Sequence, residues 1–402
     1  MPMTNNSISE VFKDRKLLSK IFDFLGDDKI RRTFIPNKQI LIYGQVQSGK
    51  TAKIMEYIRN NSSRINILFI QNSLSMLAQY ERAFKTNKIQ CVSVSSNNSS
   101  TVSWYVNTCK TKLVLLVMNN NYRREELTNV MERCKRKILK YSLIMDESDM
   151  YFNSLKKCDI YRYAFECVHV TATPFPQEYT GYFDDVMIIP PKKEYISFDK
   201  LDIKFVPDVD DESKAIMDIL QNDFLKTKQG ILLITIHHRI ANMMSMAHSL
   251  SKKASLHNVP VAILSSKNIL FYNRKTKELP RMSISEIISG LEEHQHIIFI
   301  ANRLASRGIN YSNLTYSRHL THQIISQNDN KTNFIQRCRI LGNKQGIESR
   351  LKLYCLNCKE EYFIGIMEKI KNVEKNVDCL KLGYSSPTKL KLASKRNRRN
   401  SI

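Results

Sequence analysis

The sequence contains a glycine-rich loop whose residue types and spacing suit the binding of phosphate groups. The loop reads Gly44-Gln45-Val46-Gln47-Ser48-Gly49-Lys50-Thr51, which matches the pattern G-x-x-x-x-G-K-[ST] between an apolar run and a helical stretch. In such a loop backbone N–H groups surround the phosphates, the lysine places its charge on the β and γ phosphates, and the hydroxyl binds Mg²⁺. The pattern predicts that phosphates are bound by Gly44, Gln47, Ser48, Gly49, Lys50 and Thr51, with Thr51 as a metal ligand.

An acidic cluster follows another apolar run. Leu143-Ile144-Met145 leads directly into Asp146, Glu147 and, two residues later, Asp149. In a parallel sheet this position is the carboxyl edge, where ligands bind. We expect Asp146 to hold Mg²⁺ directly or through water, and Glu147 to orient and deprotonate the attacking water. An acidic loop alone is usually a solvated turn, and its place after the phosphate loop is what favours catalysis.

Hydroxyl side chains follow a further apolar run, in the segment Val170-Thr171-Ala172-Thr173-Pro174. Taken alone, this segment is a turn signal. At the end of a strand beside the phosphate loop, its hydroxyls could couple the nucleotide site to a neighbouring domain.

Two basic segments lie in the second half of the chain. Leu304-Ala305-Ser306-Arg307-Gly308-Ile309-Asn310 follows an apolar run, and Gln336-Arg337-Cys338-Arg339-Ile340-Leu341-Gly342 lies on a candidate helix. Phosphoryl transfer requires positive charge at the γ-phosphate, and an arginine that supplies it adds ~10³–10⁵ in rate. If that arginine belongs to a second domain, hydrolysis depends on domain closure.

Apolar runs that alternate with helical stretches must position these motifs. Candidate strands of the first half are 39–43, 65–70, 112–118, 141–145 and 167–170, and candidate helices are 51–60, 74–85 and 123–139. The second half has candidate strands 230–236, 260–264 and 296–301 and candidate helices 211–225, 239–252 and 284–292. Continuous apolar strands separated by helices predict parallel sheets covered on both faces. Both halves are therefore expected to be α/β domains.

The prolines between residues 183 and 209 predict a break between the two domains, near residue 200. The expected organisation is a helical lead-in at 1–30, a first domain at 31–200, a second domain at 201–375 and a basic disordered tail at 376–402. The chain has only 11 glycines, against about 28 at average usage. Four of them, Gly44, Gly49, Gly308 and Gly342, lie in the motifs and a fifth, Gly346, follows the last motif, which supports these assignments.

Charge and composition restrict the class of protein. The 402 residues include 62 Lys and Arg against 38 Asp and Glu, a net charge of +24, which favours a polyanionic partner such as nucleic acid. Apolar runs are too short to span a bilayer, and the N-terminus lacks the apolar stretch of a signal peptide. Nine irregularly spaced cysteines favour a reducing compartment. We expect an intracellular protein of the cytoplasm or nucleus, with a viral or mobile-element source in keeping with its composition.

Together the motifs resemble those of superfamily 2 helicases and translocases. In chain order the segments are similar to motifs I (44–51), Ia (71–73), II (146–149), III (171–173), V (306–310) and VI (336–342). The resemblance covers about residues 38–355. It implies two tandem RecA-like P-loop domains with parallel sheets, which hold ATP and Mg²⁺ between them and move on nucleic acid.

The Z-one domain of helicase-like proteins is similar in more detail. Its loop resembles G-x-V-Q-S-G-K-T, its second segment L-S-R-G-I-T, and its arginine motif Q-M-G-R-W-F-G-Y-R. This chain differs in Cys338, which replaces a glycine, in an extra residue before Arg307, and in Ile340-Leu341, which replace the aromatic pair. The resemblance favours DNA over RNA as the polymer.

Carried over by matching position, the resemblance assigns a role to each site residue. Lys50, Asp146, Glu147 and Arg339 would act in catalysis, with Thr51 and Asp146 as the metal ligands and Arg339 as the arginine finger. Gln336 and Arg337 would support Arg339, while Arg307 and Gly308 would lie between nucleotide and nucleic acid. Two alternatives stay open at this point, a nucleic-acid-binding scaffold with a degenerate, switch-like ATPase and, less favoured by the motifs, a P-loop kinase.

Overall fold

The chain is represented by a computed structural model. It describes residues 38–95, 98–108, 113–133, 141–150, 152–155, 157–173, 183–236, 239–265, 269–271, 278–279, 282–301, 308–326, 331–344 and 351–377. The predicted N-terminal helix, Arg307 and nearly all of the predicted basic tail lie outside these residues.

The first half of the chain builds a seven-stranded parallel sheet in the order β3-β4-β2-β5-β6-β1-β7. Its strands are β1 (Lys38–Gly44), β2 (Ile65–Ile70), β3 (Cys91–Ser93), β4 (Val114–Met118), β5 (Tyr141–Asp146), β6 (Glu166–Thr171) and β7 (Asp185–Ile189). Every residue of β2, β5 and β6 is buried. This burial explains why these strands are mostly apolar rather than alternating, with a few buried polar residues such as Asn66 and His169 among them.

The described residues of this half form the helices α1 (Lys50–Asn60), α2 (Leu74–Thr86), α3 (Ser99–Thr108), α4 (Asn121–Arg133), α5 (Phe152–Leu155) and α6 (Asp159–Arg162). Helix α1 buries Ile54, Met55 and Ile58, a spacing that places the three side chains on one face. The helix therefore packs against the sheet directly after the phosphate loop.

The second half builds an eight-stranded sheet in the order β13-β12-β11-β14-β10-β15-β17-β9. Its strands are β9 (Asp202–Val206), β10 (Gly230–Thr235), β11 (Val261–Leu264), β12 (Ile269–Phe271), β13 (Glu278–Leu279), β14 (His296–Ala301), β15 (His322–Ser326) and β17 (Lys352–Leu356). Pairing is parallel except at β12 and β13, which are antiparallel. A short antiparallel pair is formed by β8 (Tyr195–Ile196) and β16 (Gly342–Asn343).

The helices of this half are α7 (Glu212–Asn222), α8 (Ile240–Ser251), α9 (Ile284–Ser289), α10 (Lys331–Arg337) and α11 (Glu360–Asn376). Helix α9 begins with a capping box, in which Ser283 and Glu286 satisfy each other's backbone N–H groups. No helix among the described residues is both long enough and apolar enough to cross a membrane.

Helix α11 links the two halves of the molecule. Phe363 and Ile366 near its start are buried in a cluster that includes side chains of the second sheet. Near its end, Val377 is buried in the apolar cluster of the first sheet, and Glu374 accepts a hydrogen bond from Gln45 of the phosphate loop. Residues 376 and 377, which were predicted to begin a disordered tail, are therefore part of the folded protein.

The predicted break between residues 183 and 209 contains the short strand β8 and two strands, β7 and β9, that join the large sheets. Strand β7 completes the first sheet beside β1, and β9 forms an edge of the second sheet beside β17. Both strands are only partly buried, so neither has the continuous apolar run by which the central strands are predicted.

Candidate nucleotide site between the two domains

The phosphate loop joins β1 to α1 through backbone conformations that favour glycine. Gly49 precedes α1 with a φ of 102°, and Gln47 has a φ of 56°. A Cβ atom on Gly44 would lie 2.5 Å from Ser48 Oγ, so the loop closes too tightly there for a side chain. The Ser48 hydroxyl is buried and has no hydrogen-bond partner among the described residues.

Lys50 begins α1 and lies almost completely buried beneath the loop. Its Nζ lies 3.1 Å from the carbonyl oxygen of Gln45 and 3.4 Å from that of Gly44, so the ammonium donates back across the loop. Burial lowers the pKa of Lys50, an effect that nearby Glu147 and Asp146 oppose and Arg339 reinforces. The charges of three other predicted site residues therefore affect the pKa of Lys50. Thr51 follows in the first turn of the helix.

The two catalytic carboxylates predicted from the sequence lie at the end of β5. Asp146 is its last residue, and Glu147 follows with a φ of 53°, a conformation that costs an ordinary residue energy. Both side chains are buried. Burial and the adjacent Glu147 raise the pKa of Asp146 well above its ordinary value, while the Tyr80 hydroxyl and Lys50 oppose this rise.

These carboxylates fit a divalent cation. Two acidic side chains held together without water repel each other, and a cation removes that repulsion. Oxygen Oε2 of Glu147 is buried without a hydrogen-bond partner among the described residues, so it is available to a water molecule. Asp146 and the Thr51 hydroxyl are the oxygen ligands that Mg²⁺ would take from this chain.

A chain of hydrogen bonds runs from the acidic cluster to the second domain. Thr171 Oγ1 donates to Asp149 Oδ1 at 2.8 Å and lies 3.1 Å from Thr173 Oγ1. Gln336 Nε2, on α10 of the second domain, donates to Thr173 Oγ1 at 3.2 Å. The threonines after β6 thus lie between the nucleotide site and the arginine segment.

The arginine segment contacts the phosphate loop directly. Arg339 is buried and donates from Nε (3.2 Å) and Nη2 (3.0 Å) to the carbonyl oxygen of Ile309. Gln47 Nε2 donates to the same oxygen at 3.2 Å. Gly342 has a φ of 124°, and a Cβ atom there would lie 2.5 Å from Gln47 Cβ. A loop residue and the predicted arginine finger therefore share one carbonyl acceptor.

The cysteine that replaces a glycine in the arginine segment is accommodated without strain. Cys338 follows the last residue of α10, is fully buried, and is not among the described residues with positive φ. Because its backbone does not need glycine, the replacement keeps Arg339 in place. Arg337 ends the same helix and is also buried, with its carbonyl accepting from Gln323 Nε2 at 2.6 Å.

Two residues of the site were missed from the sequence. Tyr80 donates its hydroxyl to Asp146 Oδ2 at 2.7 Å. Lys344 is buried, and burial together with the charge of Arg339 lowers its pKa to about 7. Lys344 occupies the place of the last arginine in the motif Q-M-G-R-W-F-G-Y-R, a match that could have identified it. Tyr80 is one aromatic residue on a helix and has no comparable signal.

The structure thus gathers most of the predicted residues at the facing edges of the two domains. The loop residues 44–51, both carboxylates and Gln336, Arg337 and Arg339 lie around one region. Gly308 also lies there, in contact with α2. Arg307 lies outside the described residues, so its predicted role stays a prediction.

Comparison with known proteins supports the fold. No protein-family model and no curated protein sequence matches the chain. Among solved structures, one similar to this chain is "S. cerevisiae Dbp5 bound to RNA and ADP BeF3", with a TM-score of 0.52 and 13% identity over 87% of this chain and 85% of that one. The two domains therefore have the tandem RecA-like architecture that was predicted from the sequence, whereas the resemblances to superfamily 2 and to the Z-one family stay predictions.

Proposed function

We propose that the protein is an ATP hydrolase that couples turnover to movement on nucleic acid, as a helicase or translocase. One observation carries this proposal. Three buried cations come from the two domains, and Arg339 of the second domain lowers the pKa of both Lys50 and Lys344. Burying like charges together is costly unless an anion joins them. A triphosphate between the domains supplies that anion and accounts for the phosphate loop.

The proposed hydrolysis uses the residues in separate roles. The loop amides and Lys50 bind the phosphates, and the buried Glu147 carboxylate orients the attacking water and accepts its proton. Arg339 stabilises the charge that develops on the γ-phosphate. Bound Mg²⁺ would neutralise phosphate charge, held by Asp146 and Thr51.

In this structure the Arg339 guanidinium is engaged in hydrogen bonds to the Ile309 carbonyl oxygen rather than directed at a phosphate. To reach a phosphate, the guanidinium must leave that oxygen, which also accepts from Gln47 of the phosphate loop. Nucleotide binding therefore competes with a contact inside the second domain, at an oxygen that Gln47 of the first domain also contacts. The bonds from Asp149 through Thr171 and Thr173 to Gln336 offer a second connection between the carboxylates and the second domain. Through such contacts, hydrolysis would change how the two domains bind a nucleic-acid strand.

The proposed partner is a nucleic acid bound through its phosphates. The net charge of +24 favours such a polyanion, and binding of this kind weakens as salt rises. The Z-one resemblance favours DNA, while the solved structure similar to this chain contains RNA. The affinities for DNA and RNA are therefore to be compared at one salt concentration, with fluorescent single strands of equal length.

Two substitutions test whether the site hydrolyses nucleotide or only binds it. Glu147→Gln is expected to abolish turnover and Arg339→Ala to lower kcat about 10²–10³-fold, while ATP still binds to both, because neither substitution removes the loop or Lys50. Lys50→Ala is the contrasting variant, in which binding is lost too. If the wild type binds ATP and nucleic acid without hydrolysis under any condition, and neither substitution changes anything measurable, the protein is a scaffold and the proposal is wrong.

A further inference from the structure

Helix α2 lies between the catalytic carboxylates and the second domain. Tyr80, near the middle of the helix, is fully buried and donates its hydroxyl to Asp146 Oδ2 at 2.7 Å. Its ring packs beside Phe84, one turn further along. Because the ring is fixed by packing, the hydroxyl is held at a defined position against the carboxylate.

Other side chains of α2 contact the second domain. Met76 is packed against Gly308, where an added Cβ would lie 2.8 Å from Met76 Cε, and Gln79 Nε2 lies 3.4 Å from the Gly308 carbonyl oxygen. One turn further, Arg82 pairs with Glu286 of α9 at 3.4 Å. Residue 76 precedes residue 79 by three positions and residue 80 by four, so their side chains are neighbours on the helix surface.

We propose that Tyr80 is a positioning residue for Asp146, and that α2 transmits the placement of the second domain to this metal-binding carboxylate. The inference rests on the proposed function, because it takes Asp146 as a ligand of the metal that accompanies the nucleotide. A group that hydrogen-bonds a metal ligand orients it, and its removal costs ~10–100-fold in metal affinity.

The structure contains a matched control. Tyr141 begins β5, the strand that Asp146 ends, and is also buried, with its hydroxyl donating to the Ile160 carbonyl oxygen at 2.6 Å. Removing either hydroxyl leaves a ring of nearly the same shape and deletes one buried hydrogen bond. The Tyr80 hydroxyl donates to a carboxylate of the site, whereas the Tyr141 hydroxyl donates to a backbone carbonyl, so the two variants separate positioning from general loosening.

The test measures metal binding rather than turnover. Full-length protein is saturated with AMPPNP, and Mn²⁺ is titrated by electron paramagnetic resonance. Tyr80→Phe is expected to weaken Mn²⁺ binding about tenfold and to leave AMPPNP binding in EDTA unchanged. Tyr141→Phe is expected to change neither. Equal Mn²⁺ affinity in Tyr80→Phe and wild type, or an equal loss in both variants, would overturn the inference.

A second substitution tests the connection to the other domain and avoids the core. Gln79 is partly exposed, so Gln79→Ala removes its bond to Gly308 with little risk to folding. It is expected to weaken Mn²⁺ binding about threefold, as the loss of one modest hydrogen bond, whereas Lys85→Ala on the solvent side of α2 is expected to have no effect. Unchanged affinity in Gln79→Ala would refute transmission through α2. If the wild type bound no AMPPNP, the proposed function itself would fail.

Discussion

Replacing Arg339 with alanine is expected to remove most hydrolysis and little nucleotide binding. An arginine finger contributes ~10³–10⁵ in rate, or about 4–7 kcal/mol at about 1.36 kcal/mol per tenfold. Here the guanidinium first gives up two hydrogen bonds to Ile309, each worth about 0.5–1.5 kcal/mol. At the middle of each range, a loss of about 2 kcal/mol from about 5.5 kcal/mol leaves a net benefit of about 3–4 kcal/mol, so kcat should fall about 10²–10³-fold.

The assay is steady-state ATP hydrolysis with saturating nucleotide, beside a direct measurement of nucleotide binding. Arg318→Ala is the control, because Arg318 is a buried arginine whose guanidinium donates to the carbonyl oxygens of Leu291, His294 and Gln295 within the second domain. That variant is expected to lower the unfolding temperature while the folded fraction keeps its kcat. A folded Arg339→Ala protein that retained more than a tenth of wild-type kcat would refute the assignment of the finger.

Three further predictions follow from contacts at the domain interface. Because the pKa of Lys344 is about 7, its charge is present below that pH and lost above it. ATP affinity should therefore weaken as pH rises from 6 to 8 in wild type and much less in Lys344→Met, as measured by calorimetry. Thr173→Val deletes the hydroxyl that accepts from Gln336 and should lower kcat about fivefold, the worth of one buried hydrogen bond, with Thr173→Ser close to wild type in the same hydrolysis assay. Gly342→Ala forces a side chain onto Gln47 at a φ of 124° and should lower the free energy of unfolding, measured by chemical denaturation, by about 1–3 kcal/mol. Gly290→Ala, at a φ of −73°, should lower it little.

The central strands could be predicted because burial on both faces makes most of their residues apolar. Strands β2 and β14 are buried at every position, and their predicted bounds agree with the structure. Strand β15 was missed, although it is largely buried, because only two of its five residues, Ile324 and Ile325, are apolar. The Gln323 amide is buried because it bonds the Arg337 carbonyl oxygen and the Ile340 N–H, contacts formed only in the folded chain.

The residues of the candidate site also fall into those that the sequence predicts and those whose roles depend on contacts in the folded chain. Lys50 and Asp146 could be predicted to converge, because residues after parallel strands meet at one edge of a sheet. The Ile309 carbonyl could not be predicted as the acceptor of Arg339, because every residue has a carbonyl group and nothing in its side chain marks it. Tyr80 was missed for a related reason, since its role depends on where α2 packs.

The most direct test of the central claim is ATP hydrolysis by the purified chain with and without single-stranded DNA, duplex DNA and RNA, at one salt concentration and beside Glu147→Gln. If the protein is a nucleic-acid-dependent ATPase, at least one polymer should strongly stimulate its ATP hydrolysis. That stimulation should be lost in Glu147→Gln, while ATP and the polymer still bind. Hydrolysis that is absent under all conditions, or that persists unchanged in Glu147→Gln, would contradict the assignment of this interface as the catalytic site.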